Sequence, residues 1–306
     1  MEKDDIMIKV TRDHFTCAHS AADQPAAYVN SGDCVEIETY DCYKCRLLPE
    51  GTTFDDLEPG CANPATGPVF VKEAMPGDML RIEIRKIELG PVGIMDVGPS
   101  SGALKEFFPD RVIKRIPVKD GYIHYGDSVK VPVKPMIGVI GVAPAGEAVS
   151  TVTPMDHGGN MDCTKIEEGA VLYLPVFVEG GLLSTGDFHA IMGEGEVANC
   201  GLEIEGKVIL KLDVIKNFHT EWPMIENEKQ WITIAYGETL DEAADKAAKQ
   251  MFLFLKECKG LSDVDASMLL HMAGDMIVCQ IVNPLKTVRM EVPKQLITQM
   301  AEERCR

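Results

Sequence analysis

The stretch between residues 156 and 205 constrains this chain more than any other, because it combines potential metal ligands, glycine turns and two apolar runs. The runs cover residues 171–178 and 182–189 and flank Gly180-Gly181. Two apolar runs joined by glycines predict a β-hairpin. Two polar motifs flank these runs: Asp156-His157-Gly158-Gly159-Asn160-Met161-Asp162 and Gly193-Glu194-Gly195-Glu196.

Asp187 and His189 are predicted to lie side by side in the second run. Residues two apart share a face of a strand, so these side chains project together while Phe188 points to the opposite face. A carboxylate and an imidazole on one rigid strand form half of a site for a divalent metal. The density of such side chains here favours a site over the alternative, a plain Asp187–His189 pair. The other ligands are expected among His157 and one of Asp41, Glu196 or Glu205.

Asp41 is a candidate because it ends an alternating strand. The strand runs from Cys34, and its alternation puts Val35, Ile37 and Asp41 on one face. That face is apolar apart from its polar end, so it is expected to point inward. An inward carboxylate at the end of a strand is a candidate functional group.

The charge balance excludes several classes of partner. The chain has 306 residues and a formal net charge of −18. This charge argues against nucleic acid and against an anionic membrane surface, both of which attract clustered Lys and Arg. No apolar run approaches the ~20 residues of a membrane-spanning helix. Residues 1–5 are polar, unlike a signal peptide, so we expect a cytoplasmic protein whose ten cysteines are mostly free thiols.

Cys42 and Cys45 form a C-x-x-C pair, which is a possible zinc or redox motif. No second C-x-x-C or C-x-x-H completes a zinc site, and the end of a strand is not the thioredoxin setting. We therefore interpret the pair as free thiols and predict that both are dispensable.

The fold class is predicted from the order of elements. Strand patterns fill residues 1–215, whereas the helices come late. Thr239 to Glu242 is a capping box before a helix that ends at Cys258, and Ser262 caps a second helix over residues 263–273. The chain is therefore mostly β with a C-terminal α+β part over residues 216–306 that completes the same compact unit.

Other catalytic classes have little support. The chain has no Gly-x-Ser-x-Gly elbow, no Gly-x-Gly-x-x-Gly and no P-loop. Ser150, Ser184 and Cys163 are candidate nucleophiles by location only. Covalent catalysis therefore ranks below metal-activated water.

Taken together, the motifs resemble those of the acetamidase/formamidase family over essentially the whole chain. The resemblance implies hydrolysis of a short amide to a carboxylate and ammonia, a β-sandwich or barrel body with a small C-terminal α/β part, and often a homodimer. The Cys42/Cys45 pair departs from the family pattern. The resemblance rests on Asn63-Pro64-Ala65-Thr66-Gly67-Pro68, Pro76-Gly77-Asp78, Ile137-Gly138-Val139-Ile140-Gly141-Val142-Ala143-Pro144, His157-Gly158-Gly159-Asn160-Met161-Asp162, Leu174-Pro175-Val176-Phe177-Val178-Glu179-Gly180, Gly186-Asp187-Phe188-His189-Ala190 and Gly193-Glu194-Gly195-Glu196.

With this resemblance we predict a divalent metal, zinc, with calcium as a second ion, that activates water and polarises the amide carbonyl. Glu147 or Glu196 is expected to transfer the proton, and Asn160 to orient the small neutral amide. Two alternatives remain: a metal-stabilised β protein without amidase activity, and an enzyme acting on another small carbonyl compound. The predicted metal ligands are Asp41, His157, Asp187, His189 and Glu205.

Overall fold

A computed structural model describes residues 7–57, 60–100 and 102–303, and the polar N-terminal residues and Cys305 lie outside these ranges. The fold is mostly β, as predicted. Its strands are β1 (Met7–Val10), β2 (Phe15–Thr16), β3 (Ala18–His19), β4 (Ala27–Val29), β5 (Cys34–Thr39), β6 (Ala65–Val71), β7 (Met79–Leu89), β8 (Val92–Val97), β9 (Val112–Lys119), β10 (Tyr122–Tyr125), β11 (Val129–Pro132), β12 (Met136–Gly141), β13 (Val149–Ser150), β14 (Gly158–Asn160), β15 (Val171–Pro175), β16 (Leu183–His189), β17 (Glu203–Ile204), β18 (Gly206–Ile215), β19 (Met224–Glu226), β20 (Gln230–Gly237), β21 (Asp275–Gln280) and β22 (Lys286–Pro293).

Two large sheets form the body. The first has nine strands in the order β1-β5-β18-β7-β15-β19-β20-β22-β21. The second has eleven strands: β11-β10-β9-β8-β17-β16-β12-β14 form its main path, and β6 joins β16 to β2 and β4. Strands β3 and β13 pair separately.

One hydrophobic core lies between the two sheets. It combines buried residues of the nine-stranded sheet, such as Ile37 and Ile82, with buried residues of the other, such as Ile137 and Phe188. Because alternate residues of a strand face opposite sides, each sheet sends one set of side chains into this shared core. The predicted sandwich body is thereby confirmed.

The predicted hairpin across Gly180-Gly181 is wrong. Strand β15 pairs with β7 and β19, whereas β16 pairs with β6, β12 and β17 in the other sheet. The chain thus passes from the nine-stranded sheet to the eleven-stranded sheet at these glycines. A Cβ at Gly180 would lie 2.2 Å from the Phe70 ring, so close packing and a positive φ explain the glycine here.

The C-terminal part continues the nine-stranded sheet and adds three helices. Helix α1 (Leu240–Leu253) runs into a π-helical segment (Phe254–Cys258), and α2 (Asp263–Ala273) follows the Ser262 cap, as predicted. Helix α1 packs on β20 and β22. Sequence reasoning missed α3 (Lys294–Glu303), since Pro293 precedes it in place of a capping residue. Short 3₁₀ turns cover Phe54–Asp56 and Lys105–Phe107.

One disulfide forms among the described cysteines, which is compatible with the prediction of mostly free thiols. Cys17 and Cys61, 44 residues apart, are bonded to each other. Six further cysteines carry free thiols, in line with the prediction that most do: Cys42, Cys45, Cys163, Cys200, Cys258 and Cys279. Among the described residues, no helix is long and apolar enough to cross a membrane.

Candidate active site

A cluster of buried polar side chains lies at the edge of the shared core. His189 and Glu203 are directly opposite each other on the neighbouring strands β16 and β17. Side chains in this position touch, and His189 Nε2 lies 3.0 Å from Glu203 Oε1. The same nitrogen lies 3.7 Å from Asp187 Oδ1 and 3.9 Å from Asp162 Oδ1. All four residues are at most 2% exposed.

Asp187 and His189 meet as the alternation of the strand predicts, with Phe188 buried on the opposite side in the core. Alternation alone does not set the geometry, however. Asp187 has a φ of 57°, in the left-handed region that non-glycine residues seldom adopt. This local twist of the backbone turns its carboxylate into the cluster.

The cluster contains two adjoining groups of potential metal ligands. One comprises Cys42, Asp187 and Glu203, and the other comprises Asp162, His189 and Glu196. Within each group, one ligand atom per residue lies within 4.8 Å of the others, and every residue is buried. Of these six, the sequence prediction included Asp187 and His189 as ligands and Glu196 as a candidate ligand or proton-transfer residue.

The electrostatics of the cluster are those of a site short of positive charge. Burial and neighbouring carboxylates raise the pKa of Asp162 to about 6 and the pKa values of Glu196 and Glu203 well above their ordinary range. Burial opposes a charge on His189, but Glu203 and Asp187 outweigh it and raise the pKa of this imidazole.

Several buried oxygens of the cluster also lack a hydrogen-bond donor. Asp187 Oδ1, Glu196 Oε2 and Glu203 Oε2 make no hydrogen bond within the part of the chain that the structure describes. Buried carboxylates without donors are costly unless a proton or a cation neutralises them. Carboxylates with an imidazole and a thiol are also the usual ligands of zinc, so the residues fit a divalent ion.

Three asparagines surround these carboxylates. Asn63 Nδ2 donates to Asp187 Oδ2 (2.8 Å), and Asn283 Nδ2 donates to Asp162 Oδ2 (2.6 Å). One terminal amide atom of Asn160 lies 3.0 Å from Asp187 Oδ2. As nitrogen it donates to the carboxylates, and as oxygen it joins them as a ligand for a hard cation.

The loop that carries Glu196 is fixed by a buried arginine. Arg289 donates to both carboxylate oxygens of Glu194 at 2.6 and 2.7 Å, and Thr164 donates to Glu194 at 2.8 Å. The bidentate pair holds Glu194 and with it Glu196, two residues later. Glu196 Oε1 in turn accepts from the backbone N–H of Gly201.

The remaining predicted residues lie outside the two ligand groups. Glu205 forms an ion pair with Arg12. It lies between the end of β17 at Ile204 and the start of β18 at Gly206, so the chain changes sheet there and the Glu205 side chain does not share a face with that of Glu203. Glu147 is exposed. His157 packs against the His19 ring at 5.0 Å between centroids, and burial lowers its pKa to about 4.

Asp41 is fully buried, as the inward face of its strand predicts. Its Oδ1 accepts from the backbone N–H groups of Tyr43 (2.9 Å) and Cys45 (2.7 Å). Burial raises the pKa of this carboxyl to about 6. Asp41 therefore shapes the turn that carries Cys42 and lies outside both ligand groups.

Sequence reasoning missed Asp162, Glu203 and Cys42 as cluster residues. Asp162 closes the His-Gly-Gly-Asn-Met-Asp motif, so its proximity in sequence was a signal. Glu203 lies two residues before Glu205, and only the change of sheet between them decides which carboxylate reaches the cluster.

A cavity of about 610 Å³ opens onto the cluster. Asn160, Asp187, Glu196 and Glu203 belong to its lining, so a small molecule in the cavity reaches the ligand groups. Basic and aromatic residues also line it, namely Lys44, Arg46, Arg111, Tyr43 and Phe54.

Gly138→Ala should disturb the site without removing any ligand. A Cβ at Gly138 would lie 2.6 Å from Asp162 Oδ1 and 2.7 Å from Asp187 Oδ2, so both carboxylates must move. We expect divalent-ion affinity, measured by titration calorimetry, to fall by about tenfold or more. Gly146→Ala is the matched control, because nothing lies within 4 Å of its added Cβ. Unchanged affinity in Gly138→Ala would show that these carboxylates are not ligands.

Comparison with known proteins identifies the class to which this fold and cluster belong. Residues 17–150 and 145–241 match the sequence profile of the Acetamidase/Formamidase family. The chain belongs to this family.

Solved structures of two related proteins each cover 96% of this chain. The acetamidase of Bacillus halodurans is 41% identical with a TM-score of 0.93, covering 96% of this chain and 99% of that one. The predicted acetamidase/formamidase of Thermoanaerobacter tengcongensis is 39% identical with a TM-score of 0.94, covering 96% of this chain and 98% of that one.

A sequence relative matches a shorter segment. The formamidase of Methylophilus methylotrophus is 43% identical over 74 residues, which are 24% of this chain and 18% of that protein.

Proposed function

We propose that this protein hydrolyses a short aliphatic amide to a carboxylate and ammonia at the buried cluster, with a divalent metal. The observation that carries the proposal is the convergence of buried carboxylates, an imidazole and a thiol, several without hydrogen bonds, beside a cavity. The names of the related proteins, acetamidase and formamidase, support a short amide as the substrate.

The two ligand groups are the side chains that would hold the metal. They keep Asp187, His189 and the candidate Glu196, and they contain Cys42, Asp162 and Glu203 in place of Asp41, His157 and Glu205 of the sequence prediction. A bound divalent ion would polarise the amide carbonyl and lower the pKa of water. We expect about one or two ions per chain: zinc, and calcium as a second ion on the oxygen-rich side.

The chain's own residues would bind the amide and move the proton. Asn160 belongs to the lining of the cavity and offers the hydrogen bonds that orient an amide group. Glu196 also lines the cavity, and its Oε2 makes no hydrogen bond to the described residues. When an ion occupies only the group of Cys42, Asp187 and Glu203, the Glu196 carboxylate would accept the proton from water. The protonated carboxyl would then donate to the departing nitrogen. Glu147 is exposed and absent from the lining, so Glu196 is the stronger candidate.

The substrate, location and assembly are part of the same proposal. A cavity of about 610 Å³ exceeds what formamide or acetamide fills, so somewhat longer amides also fit. A cytoplasmic homodimer acting on a small neutral amide, with neither nucleic acid nor membrane as a partner, remains our prediction.

Two neighbouring glutamates give a matched test. Glu203→Gln removes the carboxylate beside His189, and we expect ammonia release from formamide, acetamide and propionamide to fall by about a hundredfold. Glu205→Gln alters a carboxylate that binds Arg12 and should keep most of the activity. Elemental analysis of each protein measures the bound metal.

Each outcome of this test has a distinct meaning. Loss of activity in both variants would favour the original assignment of Glu205 as a ligand. Stoichiometric metal without ammonia release from any amide would refute the amidase and favour a metal-stabilised β protein. Turnover of another small carbonyl compound without ammonia release from any amide would show that the protein is an enzyme with a different substrate.

A further inference from the structure

We propose that the Cys42 thiol binds a soft or borderline divalent cation together with Asp187 and Glu203, giving this protein a sulfur-containing metal site. The inference rests on the metal centre of the proposed function and adds Cys42, which the sequence alone predicts to be a dispensable free thiol, as a ligand.

The geometry brings the three ligand atoms together. Cys42 Sγ and one oxygen each of Asp187 and Glu203 lie within 4.8 Å of one another. Zinc bonds to sulfur and oxygen of about 2.3 and 2.1 Å require ligand atoms only somewhat closer than this. A modest adjustment of side chains is therefore enough for one ion to reach all three.

A second observation points to a cation at the same place. Glu203 and Asp187 are each only 2% exposed, and neither Glu203 Oε2 nor Asp187 Oδ1 makes a hydrogen bond to any described residue. Cys42 is itself only 6% exposed and lines the cavity beside them. His189 is the neighbouring side chain that can carry a positive charge, and it lies closest to Glu203 Oε1. One imidazole does not offset two buried carboxylates and a thiolate, and a divalent ion would supply the remaining positive charge.

The local backbone explains why Cys42 points into the cluster and Cys45 does not. Asp41 accepts hydrogen bonds from the N–H groups of Tyr43 and Cys45, which folds residues 41–45 into a tight turn. Lys44 and Cys45 adopt left-handed φ angles of 55° and 57° within that turn. The Cys45 Sγ consequently lies 3.5 Å from Glu205 Oε2, on the Arg12 side. The C-x-x-C pair is thus divided between two environments.

The chemistry of the ligands predicts selectivity between cations. A thiolate is a soft ligand that favours Zn²⁺ or Cd²⁺ over Ca²⁺ and Mg²⁺. The thiol proton leaves to solvent when the ion binds. The neighbouring group of Asp162, His189 and Glu196 contains no sulfur and suits a harder ion.

Cadmium titration followed by ultraviolet absorption tests the proposal directly, because a Cd²⁺–thiolate bond produces a sulfur-to-metal charge-transfer band. We expect the parent protein to develop this band to saturation. In Cys42→Ser the band should disappear and Cd²⁺ affinity should fall by about tenfold or more. Cys45→Ser is the matched control, three residues away, and should keep the band.

Peptide-resolved alkylation measures protection of the Cys42 thiol by the bound ion and needs no variant. Bound Cd²⁺ should slow the reaction of Cys42 with iodoacetamide while leaving that of the exposed Cys258 unchanged. Persistence of the band in a folded Cys42→Ser protein, or Cd²⁺ binding by the parent protein without the band, would overturn the proposal. Should Cys42→Ser fail to fold, the absence of protection at Cys42 would have the same meaning.

The proposal and the amidase can fail separately. A protein that shows the charge-transfer band but releases no ammonia from any amide would refute the amidase and leave the thiolate site standing. A protein that hydrolyses amides with Cd²⁺ or Zn²⁺ bound but without protection of Cys42 would refute the thiolate site alone.

Discussion

Asp187→Asn is expected to abolish amide hydrolysis while leaving the fold intact. Asp187 Oδ1 faces His189 and makes no hydrogen bond, and Asp187 is one of three residues in the ligand group with Cys42 and Glu203. Asparagine is nearly the same size and tolerates the left-handed φ of 57° at this position. It is, however, a neutral and weaker ligand for a divalent cation.

The magnitude follows from the position of Asp187 among the ligands. Substituting the partners that orient a metal ligand already costs about 10–100-fold, so a ligand itself should cost at least a hundredfold. Ammonia release, bound metal and thermal melting would be measured beside the parent protein. Full activity with normal metal content in Asp187→Asn would remove Asp187 from the site.

Phe188→Ala should have the opposite profile, with a large loss of stability and an indirect effect on activity. Phe188 is fully buried in the core between the sheets and lies opposite Ile137 and Ile204 on the neighbouring strands. Truncation of a buried phenylalanine leaves a cavity and typically costs about 3–5 kcal/mol of unfolding free energy.

Urea denaturation measures this loss, and Phe107→Ala is the matched control. Phe107 is 69% exposed, so its truncation should change the unfolding free energy by no more than about 0.5 kcal/mol. A loss below about 1 kcal/mol in Phe188→Ala would mean that the core between the sheets is not packed as described. Comparison with Asp187→Asn distinguishes the face of β16 that faces the buried cluster, where substitution should lower activity, from the face in the core, where substitution should lower stability.

Sequence patterns correctly predicted those features of the structure that depend on neighbouring residues, such as helix caps and the alternation of a strand. The cap at Ser262 set the start of α2, and the alternation of a strand put Asp187 and His189 together and Phe188 opposite. The inward face ending at Asp41 is buried for the same reason. Each of these features depends on residues only a few positions apart.

The features that were missed depend on distant parts of the chain. Whether β15 and β16 pair with each other or cross between sheets depends on β7, β12 and β19, and the local glycines do not encode it. Glu203 reaches the buried cluster and Glu205 does not, because the chain changes sheet between β17 and β18. The Cys17–Cys61 disulfide joins segments 44 residues apart. Cys42 becomes a candidate ligand only because the fold brings its thiol within 4.8 Å of carboxylate oxygens of Asp187 and Glu203.

Dependence of catalysis on a bound metal is tested by ammonia release from protein that is stripped of metal with a chelator and then reloaded with Zn²⁺ in steps. We expect stripped protein to be inactive on formamide and acetamide. Activity should return in proportion to bound ion and saturate at about one or two ions per chain. Full turnover by protein that elemental analysis finds free of metal would show that the buried cluster does not hydrolyse amides with a metal.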